Sequence, residues 1–287
     1  MSKTLHSQQA WDQEIRSTRK WYDIDLTSIW RYRDLMMLLV KRDFVSTYKQ
    51  TILGPIWLLI QPILTTTVFI IIFQRVAGIG TGGVPAIPFY LAGITLWTYF
   101  SDCLTKTSNT FVGNAAIFGK VYFPRLVVPI SILISNLFKL GVQLLLFLST
   151  WIYFVSNGEI AAPHYHLLYL FPFLILLIAG LGLGFGILIS SLTTKYRDFT
   201  FLVGFGVQLL MYATPVVYPL SIVPEKYRWI ILANPVSSIV EAFKYIFLGN
   251  GFLSWPHLVY SFCFMLVMLG IAIITFNKVE KSFMDTV

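Results

Sequence analysis

Few residues in this chain have the types and spacings that chemistry requires. The run Gly113-Asn114-Ala115-Ala116-Ile117-Phe118-Gly119-Lys120-Val121 approaches a phosphate-binding loop, but five residues separate its glycines and Val121 stands where Ser or Thr would hold magnesium. ATP binding by that route is excluded. His164-Tyr165-His166 has the composition of a metal pair. Placed at i,i+2 with no Cys or carboxylate cluster nearby, it suits an interfacial anchor better. Asp102 and Glu241 look isolated in apolar stretches, and no nucleophile has a plausible base. Cys103 and Cys263 sit in or beside apolar runs and read as small buried hydrophobes. The run Gly180-Leu181-Gly182-Leu183-Gly184-Phe185-Gly186 lacks the preceding strand of a dinucleotide fingerprint. Gly180/Gly184 and Gly182/Gly186 are instead i,i+4 small pairs that let helices approach closely.

What remains is polar chemistry inside apolar segments. Ser135, Asn136, Lys139 and Gln143 form a polar row, and the last three fall on one helical face. A lysine deep in a membrane span is costly in lipid and should face a protein seam or a water-filled cavity. The row is expected to line a translocation path or a subunit interface. The alternative is a lysine snorkelling to one membrane surface. Trp97, Tyr99 and Phe100, then Tyr122, Phe123, Tyr212 and Tyr218, are either belt and packing residues or a stacking surface for sugar rings.

The elements that must position these residues follow from composition. Of 287 residues 56% are hydrophobic, 16% aromatic and only 12% charged. A soluble domain carries about 25% charged residues, so a soluble enzyme, a disordered chain and a disulfide scaffold are argued against. The pattern predicts an all-α polytopic membrane protein with six spans, at about 55–73, 87–105, 126–155, 167–192, 199–217 and 257–276. Residues 1–53 form a cytoplasmic lead-in, and 54–287 the transmembrane domain. Within the lead-in, residues 28–44 segregate Arg31, Asp34, Lys41 and Arg42 from Ile29, Tyr32, Met36, Leu39, Val40 and Phe44, as an amphipathic helix in the headgroup layer would. Residues 218–256, broken by Pro219, Pro224, Pro235 and Pro256, hold no clean span. They read as two short re-entrant helices around Asn234-Pro235, or as a loop resting on the surface.

The start of the chain lacks the apolar core of a signal peptide, so the N-terminus is expected in the cytoplasm. With that orientation 16 of the 21 Lys and Arg residues lie on the cytoplasmic side, while Arg75, Lys226, Arg228 and Lys244 lie outside and Lys139 lies within a span. The net charge of +8 therefore reads as the positive-inside bias, with both termini cytoplasmic.

Several blocks, taken together, resemble the polysaccharide-export permeases of ABC transporters (ABC-2 type). They are Arg42-Asp43-Phe44, then Tyr48-Lys49-Gln50-Thr51-Ile52-Leu53-Gly54-Pro55 with Trp57 and Gln61-Pro62. Further along come Phe89-Tyr90-Leu91-Ala92-Gly93, Asn114 with Lys120-Val121-Tyr122-Phe123-Pro124-Arg125, and Tyr196-Arg197-Asp198. Pro215 with Tyr218-Pro219, Asn234-Pro235 and Val279-Glu280-Lys281-Ser282-Phe283 complete the series in order. The look is nearest to O-antigen exporters of Gram-negative bacteria. Capsule and teichoic-acid exporters share much of it.

The resemblance implies a homodimer in the bacterial inner membrane with two copies of a separate ATPase, which binds ATP and magnesium, so that this chain carries no cofactor. It implies an undecaprenyl-diphosphate-linked polysaccharide as substrate. Arg42, Lys49 and Arg125 are then candidates for contact with its pyrophosphate or with lipid headgroups. Asn136, Lys139, Gln143, Trp97, Tyr99 and Phe100 are candidates for the path. Asn114, Lys120, Tyr196, Arg197 and Asp198 would couple to the ATPase, and Pro215, Tyr218, Asn234 and Pro235 would belong to a periplasmic gate. Two departures stand out: Val45-Ser46-Thr47 supplies no basic residue before Tyr48, and Lys139 stands where an uncharged or acidic residue is expected. Rival readings are an exporter of lipid or drug with the same topology and a membrane-embedded glycosyltransferase or acyltransferase. The last would need carboxylates or His at catalytic spacing, which the sequence does not offer.

Overall fold

The computed structural model describes residues 26–49, 51–121, 123–160, 163–196 and 198–283. The lead-in 1–25, Gln50, Tyr122, Arg197 and the side chains of 280–283 lie outside the described residues. Among those described, every regular element is helical.

The first two helices among the described residues are α1 (Leu26–Arg31) and α2 (Arg33–Tyr48). The expected amphipathic segment is therefore longer than its apolar pattern. Ser46 and Thr47 extend it by donating their hydroxyls to the Asp43 carbonyl at 3.0 and 2.8 Å. Met36 and Leu39 are buried on its apolar side, and Phe44 meets Phe138 edge to face at 4.8 Å.

The next helix, α3 (Trp57–Phe69), continues through a π-helical stretch (Ile70–Val76), and the unit Gly54–Val76 is apolar and largely exposed. Then come α4 (Ala86–Ser108), the short α5 (Thr110–Gly113) and α6 (Ala115–Phe118), α7 (Val127–Ser156) and α8 (Leu170–Thr193). The chain closes with α9 (Phe199–Tyr212), α10 (Glu225–Ala233), α11 (Pro235–Leu248) and α12 (Trp255–Phe283).

Four of these units are long and apolar enough to cross a membrane: Gly54–Val76, Val127–Ser156, Leu170–Thr193 and Trp255–Val279. The other two expected spans differ from them for separate physical reasons. Helix α4 is long enough but carries Tyr90, Thr95, Tyr99, Asp102 and Lys106. It tolerates Tyr90 and Thr95 because every residue from Pro88 to Trp97 is buried, packed among α3, α7, α8 and α11, while Asp102 and Lys106 bond to side chains of α7. Helix α9 has 14 residues, about 21 Å of rise, against a hydrocarbon layer of about 30 Å. It stops because Pro215 disfavours helical geometry at Thr214, and the chain turns inward there.

The glycine pairs of α8 do what their spacing predicts, on two different neighbours. A Cβ at Gly182 would sit 2.8 Å from Cys103 Cβ, and one at Gly186 would sit 2.6 Å from Thr107 Cβ, both on α4. A Cβ at Gly180 would collide with Met265 Sδ, and one at Gly184 would lie 3.4 Å from the Leu269 amide, both on α12. Helix α8 is thus the spacer between the central helix and the last one.

The segment after α9 is the bent pair anticipated from the prolines, since α10 and α11 meet at 107°. Asn234, extended at ψ 114° before Pro235, ends α10 and caps α11 by accepting the Val236 amide at 3.1 Å. Helix α11 is buried on nearly every side, and Gly249 closes it at φ 67°.

Prediction: Gly182→Ala or Gly186→Ala forces α8 away from α4 and destabilises the chain by about 1–3 kcal/mol. Gly141→Ala, in the interior of α7 where nothing lies within 4 Å, does not lower the thermal unfolding midpoint in detergent and raises it by the helix preference of Ala over Gly.

Candidate functional site

One end of the bundle gathers α2, the end of α4, α5, α6, the start of α7 and the end of α8; this is the end that carries Arg42, Lys106, Lys120, Arg125 and Lys195. A second apolar cluster closes it. Phe111 stacks on Phe276 at 4.5 Å, and Phe118 and Phe123 pack beside them with Val127 and Ile187. The Thr193 hydroxyl donates to the Ser108 carbonyl at 3.1 Å, and the Phe111 amide donates to Ser190 Oγ at 3.3 Å. The α5–α6 loop is therefore tied to α8 by two hydrogen bonds and to α12 by a ring stack.

Between α2, α4, α5 and α7 lies a cavity of about 490 Å³, open on one side. It is lined by Arg42, Asp43, Lys106, Asn109, Asn114 and Ser135, among others. Its size suits a small polar ligand or headgroup. Arg42 is held by its neighbour, with Nε and Nη2 donating to Asp43 Oδ1 at 2.9 and 2.7 Å.

A polar seam leads from this cavity into the bundle between α4 and α7. Lys106 Nζ donates to Asn136 Oδ1 at 2.8 Å, and Asn136 Nδ2 contacts Cys103 Sγ at 3.7 Å. One helical turn deeper, Lys139 Nζ donates to Asp102 Oδ2 at 2.9 Å. The antiparallel register that pairs 106 with 136 and 102 with 139 places Gln143 opposite Tyr99. Both are buried, and Gln143 Oε1 has no hydrogen-bond partner among the described residues.

This seam corrects one reading of the sequence. Asp102 is not isolated, because it is the partner of Lys139. Glu241 is not isolated either; it lies 3.8 Å from Lys244 one turn away on α11. The i,i+3 spacing of Glu241 and Lys244 was visible in the sequence. The 102–139 pairing joins two helices and was not. Lys244, counted among the outer basic residues, is 1% exposed.

The other candidates fall as follows. Asn136, Lys139 and Gln143 do share one face, and that face meets α4 inside the subunit. Trp97, Tyr99 and Phe100 are buried, Trp97 and Phe100 with ring centroids 5.4 Å apart and Phe100 edge-on to Phe185 of α8. Arg42 lines the cavity, but Lys49 and Arg125 do not. Lys49 is exposed beyond α2, and Arg125 is buried with its guanidinium 5.4 Å from the Phe118 ring. Asn114 lines the cavity, and its Nδ2 donates to the Thr110 carbonyl at 3.0 Å. Lys120, Tyr196 and Asp198 are exposed at the same end. Pro215, Tyr218, Asn234 and Pro235 come together at the opposite end, where Asn234 Nδ2 donates to Thr214 Oγ1 at 2.8 Å.

His164 has a role that its sequence did not announce. Its ring stacks on Tyr245 at 4.4 Å, its Nδ1 meets the Tyr245 carbonyl at 3.1 Å, and its amide donates to the Ile246 carbonyl at 3.1 Å. Trp151 Nε1 donates to the Phe247 carbonyl at 2.7 Å. Together they satisfy the Ile246 and Phe247 carbonyls that α11 leaves unpaired and add a contact to the Tyr245 carbonyl, which also accepts the Gly249 amide. Among the described residues no three His, Cys, Asp or Glu side chains assemble as metal ligands.

The bundle thus holds a polar seam between α4 and α7 with a polar cavity at its basic end. The model of the ABC-2 type transporter family matches residues 34–248, and the chain belongs to this family. It is similar to the O-antigen export system permease protein RfbA of Klebsiella pneumoniae, at 28% identity over 254 residues, covering 88% of this chain and 94% of the relative. The RfbA of the same name from Myxococcus xanthus is 27% identical over 264 residues, covering 90% and 97%.

Prediction: Asp102→Asn and Lys139→Met each leave one partner of a half-buried pair behind and lower the yield of folded protein. The exchange Asp102→Lys with Lys139→Asp recovers most of it. The cycle gives a coupling energy of about 1 kcal/mol or more, read by size-exclusion in detergent.

Proposed function

We propose that this chain is the membrane-spanning permease subunit of an ATP-driven exporter that moves an undecaprenyl-diphosphate-linked, O-antigen-type polysaccharide from the cytoplasm to the periplasm. The observation that carries the reading is the near end-to-end likeness to export permeases, 88% of this chain against 94% of the relative. In this reading the protein is a homodimer in the bacterial inner membrane. Helices α3, α4, α7, α8, α9 and α12 cross, both termini are cytoplasmic, and α2 lies along the inner headgroup layer.

Two copies of a separate ATPase bind ATP with magnesium and press on the basic end. The α5–α6 loop suits that task, because the Phe111–Phe276 stack and the Thr193–Ser108 bond hand any displacement to α8 and α12. Asn114, Lys120, Tyr196 and Asp198 stand at the same end as contact residues, and Arg197 of that group lies outside the described residues. Of the three basic residues proposed to meet the pyrophosphate, Arg42 is the one that lines a cavity, where Lys106 joins it. Cationic side chains at the cytoplasmic face attract anionic lipid carriers electrostatically.

Deleting the gene and analysing lipid-linked glycan tests the function. Completed glycan accumulating inside the cell supports export, and loss of its synthesis points to an enzyme instead. Prediction: Arg42→Ala with Lys106→Gln, in a stably inserted protein, lowers surface glycan at least about tenfold, as expected for losing a charge-assisted hydrogen bond of ~1.5 kcal/mol. Lys49→Ala alone has a smaller effect. Normal surface glycan from the double variant would remove the cavity from the reading.

A further inference from the structure

Loose packing and polar anchoring meet at the outer end of α9. Along its length α9 is held by little. Val203 is its one buried residue, while Phe201, Leu202, Phe205, Leu209 and Tyr212 are exposed. Nothing lies within 4 Å of a Cβ built at Gly204 or Gly206.

At Thr214 the situation reverses. Thr214 and Val216 are 0% exposed and Val217 is 2% exposed. Asn234, at the head of α11, donates its amide to Thr214 Oγ1 at 2.8 Å. Two and a half turns later on the same helix, Lys244 donates from Nζ to the Pro215 carbonyl at 2.5 Å. From the other side α4 comes so close at Gly93 that a Cβ there would lie 2.9 Å from the Val216 carbonyl oxygen. The start of the segment after α9 is thus gripped at Thr214 and Pro215 from two points along α11 and backed by α4 at Val216.

We propose that Lys244 is the positioning residue of a rigid joint that makes the outer end of α9 and the re-entrant helix α11 move as one body. The proposal rests on the transport reading above for its purpose, but its geometry stands apart from the substrate. The Lys244 ammonium is enclosed, 3.9 Å from the centre of the Phe89 ring and 3.8 Å from Glu241 Oε1. Each of these partners stabilises a buried cation, and the Pro215 carbonyl is the one that belongs to the α9 side. Pulling the α9 end away would strand an ammonium without its directional acceptor in surroundings that offer no water. That penalty makes separation at this point more costly than bending of the loosely packed α9. A displacement of α9 is then delivered to α11, whose far end is held by His164 and Trp151. A methionine at 244 would fill similar volume and give no such bond, so the directional interaction is what the lysine adds.

The test is a distance measurement by pulsed electron resonance between spin labels at Tyr212→Cys and Phe252→Cys, in a Cys263→Ser background. The full chain, with each doubly labelled copy diluted in an excess of unlabelled chain so that only the pair within one subunit is read, is reconstituted with its ATPase partner in nanodiscs. A single narrow distance that is the same without nucleotide and with ATP plus vanadate is expected. A distance that shifts between the two states overturns the joint, and this reading needs no change at Lys244. The second arm is Lys244→Met with Asn234→Ala. It is expected to broaden the distance distribution and to lower glycan exported per ATP hydrolysed at least tenfold, with ATP hydrolysis itself retained. A narrow distribution with an unchanged export ratio in that variant also overturns the proposal. If the chain exports no glycan at all but the distances behave as expected, the joint stands and the transport reading falls.

Discussion

Inside a bilayer a polar group has no water to turn to, so it must find its partner in protein. This constraint organises the whole bundle. Helix α4 carries Asp102, Lys106, Thr95 and two tyrosines, and no lipid-facing position would accept them. It therefore runs through the middle, with α3, α7, α8 and α11 around it. Lys139 follows the same rule from the opposite helix, and its 2.9 Å bond to Asp102 is a direct consequence. The central position of α4 in turn requires close neighbours, which explains why the glycines of α8 that face it, Gly182 and Gly186, have no room for a side chain.

The same rule governs the bent pair α10 and α11. Ending a helix inside the bundle exposes carbonyls that apolar surroundings cannot satisfy. Helix α11 is able to end there because His164 and Trp151, from two other parts of the chain, supply donors to its last turn. Its beginning is secured by Asn234, which accepts the Val236 amide and donates to Thr214. Ser238 and Ser261, 2.7 Å apart, and the Ser261 bond to the Pro235 carbonyl attach it to α12. A helix so thoroughly partnered is a fixed element of the fold rather than a loop resting on a surface.

Parts of this were legible from residue order alone. The apolar runs around 55–73, 126–155, 167–192 and 257–276 emerge as long helices, because a run of apolar residues in that range has no better solution in lipid than a helix. The proline at 235 locates the break between α10 and α11, since it bars helical geometry at the preceding residue, whereas Pro215 fell inside a span read to 217 and α9 ends before it, at Tyr212. The spacing of Gly180, Gly182, Gly184 and Gly186 foretold tight contacts. Their division between α4 and α12 was not foretold, because spacing gives the face but not the neighbour. The site was less legible. Arg42, Lys49 and Arg125 are alike as sequence, yet one lines a cavity, one is exposed and one is buried against Phe118. Lys106, which completes the cavity, looked like an ordinary loop residue.

The sequence by itself determined that this chain is an all-helical membrane protein, where its helices break and which faces carry polar residues. Those properties depend on local chemistry: apolar run length, proline geometry and helical period. Only the tertiary structure decided which polar groups meet. The pairing of Asp102 with Lys139, the grip of Lys244 on Pro215 and the capping of α11 by His164 join residues 29 to 81 positions apart. No periodic pattern encodes such contacts. They exist because a membrane interior leaves a buried charge or carbonyl no alternative to the nearest protein partner.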